Sequence, residues 1–273
     1  MGERKRRSLN TAQFLKLHPF CCYCGGATPA TTRDHYPPKI LFDRKNRPDD
    51  FVSPACKACN SGTRKSDLVA SYLARTRFGD SPDVENEDSR KLARAIRNNC
   101  GELISEWLIS GVAQKRAKKN FMSRGVPIDD ELKVIRYGPK TRRHLDIFAH
   151  KLTLAMYHKF ALKPLSQTGL FEAFIVPKEN VAANGLPQHI MEMFGPVLTL
   201  SQGNWETSEQ FQFRHTYNST EGAFGFVARI RTGFFVFGFV VERACDVSGS
   251  GRERMIEPRQ LLGLLSDKIL APA

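Results

Sequence analysis

The sequence predicts an α+β protein with a cysteine-rich N-terminal module, a helical middle segment and a C-terminal antiparallel sheet. Two CxxC pairs fall within one loop-rich stretch near the N-terminus, and apolar residues recur at helical spacing through the middle of the chain. The last third is rich in Phe, Val and Ile with alternating polar residues. These changes of pattern divide the 273 residues into segments 1–80, 81–165 and 166–273.

The predicted elements of the N-terminal module are short. An amphipathic helix is predicted over Ser8–Leu17 and a strand around Thr31–His35. The stretch Tyr36–Asp50 is rich in Pro and Asp and is predicted to be a loop. A helical pattern that starts at Thr63 and runs to about Phe78 places Asn60 at or just before a helix N-terminus.

Two helical patterns are predicted in the middle segment, after a linker over Gly79–Asn86 where Asp, Ser and Pro cluster. The first is a stripe of apolar residues that includes Cys100 as a core thiol: Leu92, Ile96, Cys100, Leu103, Trp107 and Leu108. The second runs through Arg142–Leu162. Three histidines in or near it are predicted to be surface or capped residues rather than ligands: His144, His150 and His158.

The C-terminal segment changes to strand-like patterns. Five strands are predicted, over Leu170–Val176, Val197–Ser201, Phe211–Tyr217, Gly222–Arg231 and Gly233–Glu242. A turn at Arg231-Thr232-Gly233 is expected to join the last two strands into a hairpin. A closing helix over Pro258–Leu270 is expected to cover one face of this antiparallel sheet.

The charge balance favours an acidic partner. The chain has 41 Lys and Arg against 28 Asp and Glu, a formal net charge of +13, which attracts polyanions such as nucleic acid. No apolar run is long enough for a membrane span, and no signal-peptide core follows the basic N-terminus, so we expect a cytoplasmic protein without a membrane partner. An odd remainder of three cysteines argues against a secreted disulfide framework: Cys22, Cys100 and Cys245.

The other four cysteines have the spacing of a structural zinc site. Cys21 and Cys24 form one CxxC pair and Cys56 and Cys59 form the second. Four thiolates at this spacing can close a tetrahedral Zn²⁺ site, which stabilises a segment too short for its own apolar core. Cys22 could replace Cys21 as a ligand, but only Cys21 keeps the CxxC spacing with Cys24.

Three polar residues near the CxxC pairs are candidates for phosphodiester hydrolysis. His35 suits a general base because the ordinary pKa of imidazole lies near neutral pH. Asp34 and the side-chain carbonyl of Asn60 are oxygen donors suited to Mg²⁺. Adjacent strand residues point to opposite faces, so Asp34 and His35 need a local turn or bulge to face one metal ion.

Four further residues could complete such a site. If a helix begins near Asn60, Asp67 lies two turns along it at nearly the same angular position and is an additional candidate ligand. Lys39, Arg64 and Lys65 are candidate phosphate contacts.

The CxxC pairs, the Asp-His pair followed by Pro, and the Asn after the second CxxC pair resemble the zinc-containing HNH endonucleases. This ββα-metal group includes phage recombination endonucleases of the resolvase type, and the resemblance covers roughly residues 20 to 70. It implies structural zinc on the four cysteines, His35 as general base, and a separate catalytic Mg²⁺ or Mn²⁺ on Asp34 and Asn60. It also implies cleavage of nucleic acid, with DNA as the expected substrate, by a homodimer.

The chain departs from many members of that group in one respect. They carry a further His on the helix after the second CxxC pair, whereas this chain has no His between His35 and His144. Asp67 could stand in for that ligand, or the site could use only Asp34 and Asn60, as in the resolvase-like members.

Two other interpretations stay open. The four cysteines and the positive charge are also typical of a zinc ribbon that binds nucleic acid or a protein without catalysis. Alternatively, the C-terminal sheet could sense a ligand, a modified base or a partner, although outward-facing polar residues are common on any antiparallel strand. The residues that could line such a sheet face are Arg214, His215, Arg229 and Arg231.

Overall fold

A computed structural model describes most of the chain. The described residues are 10–47, 51–75, 87–125, 134–186, 188–202, 205–207, 209–247 and 249–265. The predicted linker over Gly79–Asn86 lies outside these ranges, as do the first residues of the predicted N-terminal helix and the last ones of the closing helix.

Helices predominate in the first half of the chain, around the hairpin of two short strands, and strands predominate in the second half. The helices in the described ranges are α1 (Thr11–Leu17), α2 (Lys57–Gly62), α3 (Arg64–Arg75), α4 (Glu87–Asn99), α5 (Glu102–Trp107), α6 (Gly111–Ser123), α7 (Pro139–Ala161), α8 (Lys178–Asn184), α9 (Gln188–Glu192), α10 (Ser250–Arg254) and α11 (Gln260–Leu265). The strands there are β1 (Thr32–His35), β2 (Val52–Ala55), β3 (Leu170–Pro177), β4 (Leu198–Thr199), β5 (Ser201–Gln202), β6 (Trp205–Glu206), β7 (Phe211–Asn218), β8 (Ala223–Ile230) and β9 (Phe234–Val241).

The C-terminal sheet has five antiparallel strands in the order β3-β9-β8-β7-β4. Its long strands match the predicted ones, and a turn at Arg231-Thr232-Gly233 joins β8 to β9 as expected. Their alternation of Phe and Val with smaller or polar residues suits a sheet that is packed on one face. The prediction of a C-terminal antiparallel sheet is therefore confirmed.

The long helix α7 lies between this sheet and the N-terminal module. It contacts β3, β8 and β9 on one side and α3 on the other, which explains why most of its residues are buried. Gly238 of β9 allows the close approach, because a Cβ there would collide with Thr153 of α7 and with Phe226. The helix predicted over Arg142–Leu162 is thus confirmed and is the central element of the core.

The N-terminal module consists of the hairpin β1–β2 followed by α2 and α3. An ion-pair cluster ties it to the sheet: Asp43 Oδ1 accepts bonds from Arg75 Nη1 at 2.7 Å and from Arg231 Nη2. Arg231 lies in the β8–β9 turn, and its Nε also donates to the carbonyl of Leu41 at 2.9 Å. One continuous set of buried side chains runs through the module, α7 and the inner face of the sheet.

Several helical predictions are wrong in detail. The apolar stripe expected to run from Leu92 to Leu108 is split into α4 and α5 by Gly101, and Leu108 is 69% exposed. Asn60 lies inside α2 rather than at or before a helix N-terminus, because the helix starts directly after Cys56, which is its N-cap. His158 is 3% exposed and belongs to the core instead of the surface.

The closing helix also differs from its prediction. Its described part, α11, packs on α7 and α2, whereas α7 covers the inner face of the sheet. The outer face carries a smaller apolar cluster around Phe194, Val227 and Phe237. No helix in the described ranges combines the length and the apolar composition needed to cross a bilayer.

Candidate metal centre and adjoining polar sites

The four cysteines of the two CxxC pairs meet at one point. Cys21 and Cys24 lie in the tight turn before β1, whereas Cys56 caps α2 and Cys59 lies in its first turn. All four are buried, and their Sγ atoms lie within 4.8 Å of one another. A tetrahedral zinc ion with Zn–S bonds of about 2.3 Å separates its sulfurs by about 3.8 Å, so the quartet can hold a structural metal such as zinc.

The protonation of the quartet suits a metal ligand set. Hydrogen bonds from Cys21 and Cys59 hold the pKa of the Cys24 thiol at about 2. The bond to Cys24 is the main reason that the pKa of Cys21 rises to about 12. A metal ion would replace the shared protons, because thiolates are the ligating form of cysteine. Cys22 is not part of the quartet, and burial raises the pKa of its thiol.

Asp34 points from β1 into the interior, where it meets a buried lysine. Its Oδ2 lies 2.8 Å from Lys151 Nζ and accepts a hydrogen bond from the Tyr23 hydroxyl at 3.0 Å. Lys151 comes from α7, is fully buried, and also donates to Asp67 Oδ2 at 2.8 Å. Its ammonium lies 4.5 Å from the ring centroid of Tyr36, within cation–π range. One cation therefore pairs with two carboxylates from the N-terminal module.

The charges of this cluster are set by burial and by mutual attraction. Burial raises the pKa of Asp67 to about 6, against the opposing effect of Lys151. Burial alone would lower the pKa of Lys151, but Asp67 and Asp34 outweigh it and raise that pKa above its ordinary value. Lys151 is thus a charged ammonium in the core. Asp67, a predicted metal ligand, contacts this ammonium, and its Oδ1 is buried without a hydrogen-bond partner.

His35 lies on the opposite face of β1 from Asp34. β1 and β2 pair residue for residue from Thr32 to His35, so the bulge expected at the Asp-His pair does not occur in this described hairpin. Arg47 Nη1 lies 3.1 Å from His35 Nδ1, and a guanidinium can only donate. Nδ1 therefore accepts this bond, and a neutral His35 ring carries its hydrogen on Nε2.

Asn60 lies over the face of β1 that carries Asp34. Its Nδ2 donates to Thr32 Oγ1 at 2.9 Å, and Thr32 precedes Asp34 by two residues on the same face of the strand. This bond fixes the amide plane and leaves Oδ1 for another partner. The other oxygen of Asp34, Oδ1, takes part in none of the contacts described above, and that side chain is 12% exposed.

The candidate phosphate contacts lie at the surface of the module. Arg64 and Lys65 are exposed in the first turn of α3, and Lys39 is half-buried at the 3-10 turn after β1. In the described residues, the cysteine quartet is the sole convergent group of three or more His, Cys, Asp or Glu side chains.

The residues expected to line one face of the C-terminal sheet do not share a face. His215 stacks on Phe160 of α7 with ring centroids 3.6 Å apart, and Arg231 belongs to the ion-pair cluster with Asp43. Arg214 and Arg229 border a cavity of 180 Å³ on the outer face. The expected common sensing face is therefore corrected to three separate environments.

Sequence reasoning missed Lys151 and Arg47. Lys151 lies between Phe148 and Leu152 on the apolar stripe of α7, so its side chain faces the core. A buried lysine needs an acidic partner, and this position in the stripe is the signal that could have found it. Arg47 has no such signal because its loop lacks a periodic pattern.

A scan against protein-family models matches no family for this chain, and searches of the curated proteins and of the solved structures find no match.

Proposed function

We propose that this protein is a metal-dependent HNH-type endonuclease that hydrolyses phosphodiester bonds of nucleic acid, with DNA as its substrate. The observation that carries the proposal is the bond from Asn60 to Thr32, which holds an amide over the strand face that bears Asp34. A hairpin followed by a helix, with the cysteine quartet between them, supports the same assignment. The net charge of +13 suits a polyanionic substrate.

Asp34 Oδ1 and Asn60 Oδ1 are the oxygens that would hold Mg²⁺ or Mn²⁺. When bound, such a cation supplies positive charge to the phosphoryl oxygens and to the leaving oxygen. Lys151 and Tyr23 engage the other oxygen of Asp34, so they fix the orientation of the carboxylate.

His35 is the proposed general base, and Arg47 controls its protonation. While Arg47 donates to Nδ1, Nε2 of a neutral ring carries hydrogen and accepts no proton. Nε2 would accept a proton from water only after the ring hydrogen is exchanged to Nδ1, which requires the bond from the buried Arg47 to open. Lys39, Arg64 and Lys65 would hold neighbouring phosphates.

A second candidate function is a non-catalytic zinc module that binds nucleic acid. Two observations favour it. An ammonium already pairs with the carboxylate of Asp34 that a divalent cation would need. His35 also lies on the opposite face of β1 from Asp34, so the two side chains do not converge on one point. The two functions share the zinc site and the positive charge, so these features do not discriminate between them.

Plasmid cleavage by the full chain, with Mg²⁺ or Mn²⁺ and without added divalent cation, tests the proposal. Wild type should nick or linearise the plasmid only with the cation, and His35→Ala and Asn60→Ala should lose this activity. Asn98→Ala, an exposed position on α4, is the matched control and should cleave like wild type. Zinc content and circular dichroism should be unchanged in all four proteins.

Two results would reject the nuclease. Cleavage that persists in both His35→Ala and Asn60→Ala would assign the activity to another site or to a contaminant. Absence of cleavage in zinc-loaded wild type on plain, branched and modified DNA and on RNA, together with retained binding, would favour the non-catalytic module.

A further inference from the structure

A cavity whose lining does not include Asp34, His35 or Asn60 lies beside the N-terminal module. It has a volume of 420 Å³ and lies where the start of α3 meets α5, the N-terminal turns of α7, and α11. This volume is within the range of ligand pockets that take a small molecule or one unit of a polymer. Its walls bring together side chains from segments that are distant in sequence.

The charged side chains of the wall are mostly cationic. Lys65, Lys140 and Arg143 face the cavity against a single carboxylate, Glu102, so the formal charge of the wall is 3 − 1 = +2 with histidine neutral. Arg143 is held in place because its Nε and Nη2 donate to the carbonyl of Leu264 at 3.1 and 2.6 Å. A concave wall of this charge concentrates anions.

The floor of the cavity provides a neutral hydrogen-bond donor as well. Ser66 is 1% exposed, and its hydroxyl lies 3.0 Å from His144 Nδ1, which is the acceptor described for it. A buried hydroxyl hydrogen needs an acceptor, so Ser66 donates and Nδ1 accepts. The ring hydrogen of His144 is then on Nε2, and no hydrogen bond from Nε2 occurs among the described residues. A cavity with cations and a neutral N–H donor matches a phosphate group, which accepts from both.

The position of the cavity points to a phosphate of the nucleic acid. Lys65 lies in the first turn of α3 and Asn60 lies in α2, the helix directly before it, so adjoining helices carry the cavity wall and a proposed metal ligand. A strand whose reacting phosphate lies at Asn60 would extend along α3 towards Lys65. Lys140 and His144, one turn apart on α7, face Lys65 and Ser66 across the cavity.

We infer that this cavity is a second nucleic-acid subsite, in which Lys65, Lys140 and His144 hold a phosphate group next to the one that is cleaved. The inference rests on the proposed function for the identity of its ligand. A phosphate group could come from the polymer or from a free nucleotide, and the test separates the two sources.

The test is binding of a fluorescently labelled DNA duplex to the full chain without added divalent cation, measured by anisotropy over a salt series. Each phosphate contact contributes about 0.9 to the slope of log K against log salt for duplex DNA. The double variant Lys65→Gln/Lys140→Gln should therefore lower the magnitude of the slope by about 0.9. Both side chains are exposed, so the fold should be retained.

The control Lys16→Gln/Lys91→Gln removes the same charge at exposed positions on α1 and α4 outside the cavity wall and should leave the slope at the wild-type value. Equal loss of slope in the control, or no loss in the cavity variant, would overturn the subsite.

Calorimetric titration with inorganic phosphate and with adenosine monophosphate forms the second arm of the test. Saturable binding of either that the cavity variant loses, with an unchanged DNA slope, would overturn the polymer as the source of the phosphate.

The two proposals fail in different ways. A slope change without plasmid cleavage would reject the nuclease and keep the subsite as a nucleic-acid contact. Cleavage with an unchanged slope and no phosphate binding would keep the nuclease and reject the subsite.

Discussion

Replacement of the buried lysine between the N-terminal module and α7 should destabilise the protein strongly. Lys151 is fully buried, and its Nζ lies 2.8 Å from the Oδ2 atoms of both Asp34 and Asp67. Methionine keeps the length of the apolar stem but leaves two buried carboxylates without a cation. Loss of one partner from a buried ion pair costs about 3–5 kcal/mol. At about 2–4 °C per kcal/mol for a protein of this size class, the melting temperature of Lys151→Met should fall by about 6–20 °C.

The loss should depend on pH in a defined direction. The pKa of Asp67 is already raised to about 6 from 3.8, so its contribution to stability is full below about pH 4 and declines as pH rises through 6. Without Lys151 this pKa should rise further, because burial is no longer opposed. The deficit of Lys151→Met relative to wild type should thus be smaller at about pH 5 than at about pH 8.

A double-mutant cycle isolates the interaction. Asp67→Asn should cost less than Lys151→Met, because Lys151 keeps Asp34 as a partner and one of two like charges is removed. The loss of unfolding free energy in the double variant Asp67→Asn/Lys151→Met should be smaller than the sum of the two single losses by about 0.5–3 kcal/mol. Urea unfolding of zinc-loaded protein, with zinc content checked in each variant, measures all four corners.

The control is Lys140→Met, an exposed position on the same helix, which should remain within about 0.5 kcal/mol of wild type. The reasoning fails if Lys151→Met loses less than about 1 kcal/mol at pH 8, or if its deficit is the same at both pH values.

Three further predictions concern other parts of the fold. Burial lowers the pKa of His158 to about 4 from 6.5, so the free energy of unfolding should fall by about 3 kcal/mol as pH falls between these values. In urea unfolding, His158→Phe should flatten this pH dependence. A pH profile equal to that of wild type would contradict the prediction. Cys56→Ser should reduce both the bound zinc, measured by a colorimetric assay, and the stability of the protein. Cys245→Ser, at an exposed cysteine, should change neither. Full retention of zinc in Cys56→Ser would exclude Cys56 as a ligand. The carboxylate of Glu106 accepts hydrogen bonds from the backbone N–H groups of Lys140 and Thr141 at the start of α7. Glu106→Gln should therefore lower the free energy of unfolding by about 1 kcal/mol, measured by thermal unfolding. A melting temperature equal to that of wild type would refute this role as a helix cap.

Local patterns predicted the elements whose signal lies within one segment. The alternation in Phe211–Tyr217 and the stripe in Arg142–Leu162 were sufficient for β7 and α7, because strand and helix periods appear directly in consecutive residues. The helix boundary at Asn60 was misplaced because Cys56 caps α2 through its sulfur, and cysteine is an uncommon N-cap. The helix α6 was not predicted, since none of its residues is buried and its apolar pattern is weak.

The candidate site was only partly predictable. The two CxxC pairs predicted the four cysteines that could hold a metal ion, because the spacing of each pair is local. The environment of Asp34 was not predictable, since its partner Lys151 lies in a different helix and its own strand shows no bulge. The buried position of His158 was missed for a similar reason: its ring packs against His18, far away in the chain.

By itself, the sequence determined the α+β class, the grouping of the four cysteines, the long helix α7, the long strands of the C-terminal sheet, and the positive charge that suits an acidic partner. These depend on composition, on spacing within a segment and on the strong preference of four clustered thiols for a metal. Only the tertiary structure decided that Asp34 and His35 point to opposite faces, that Lys151 pairs with Asp34 and Asp67, and that Lys65 and Lys140 face one cavity. Lys151 is 84 positions from Asp67 and 117 positions from Asp34 in the chain, and the packing of α7 against the module brings them together.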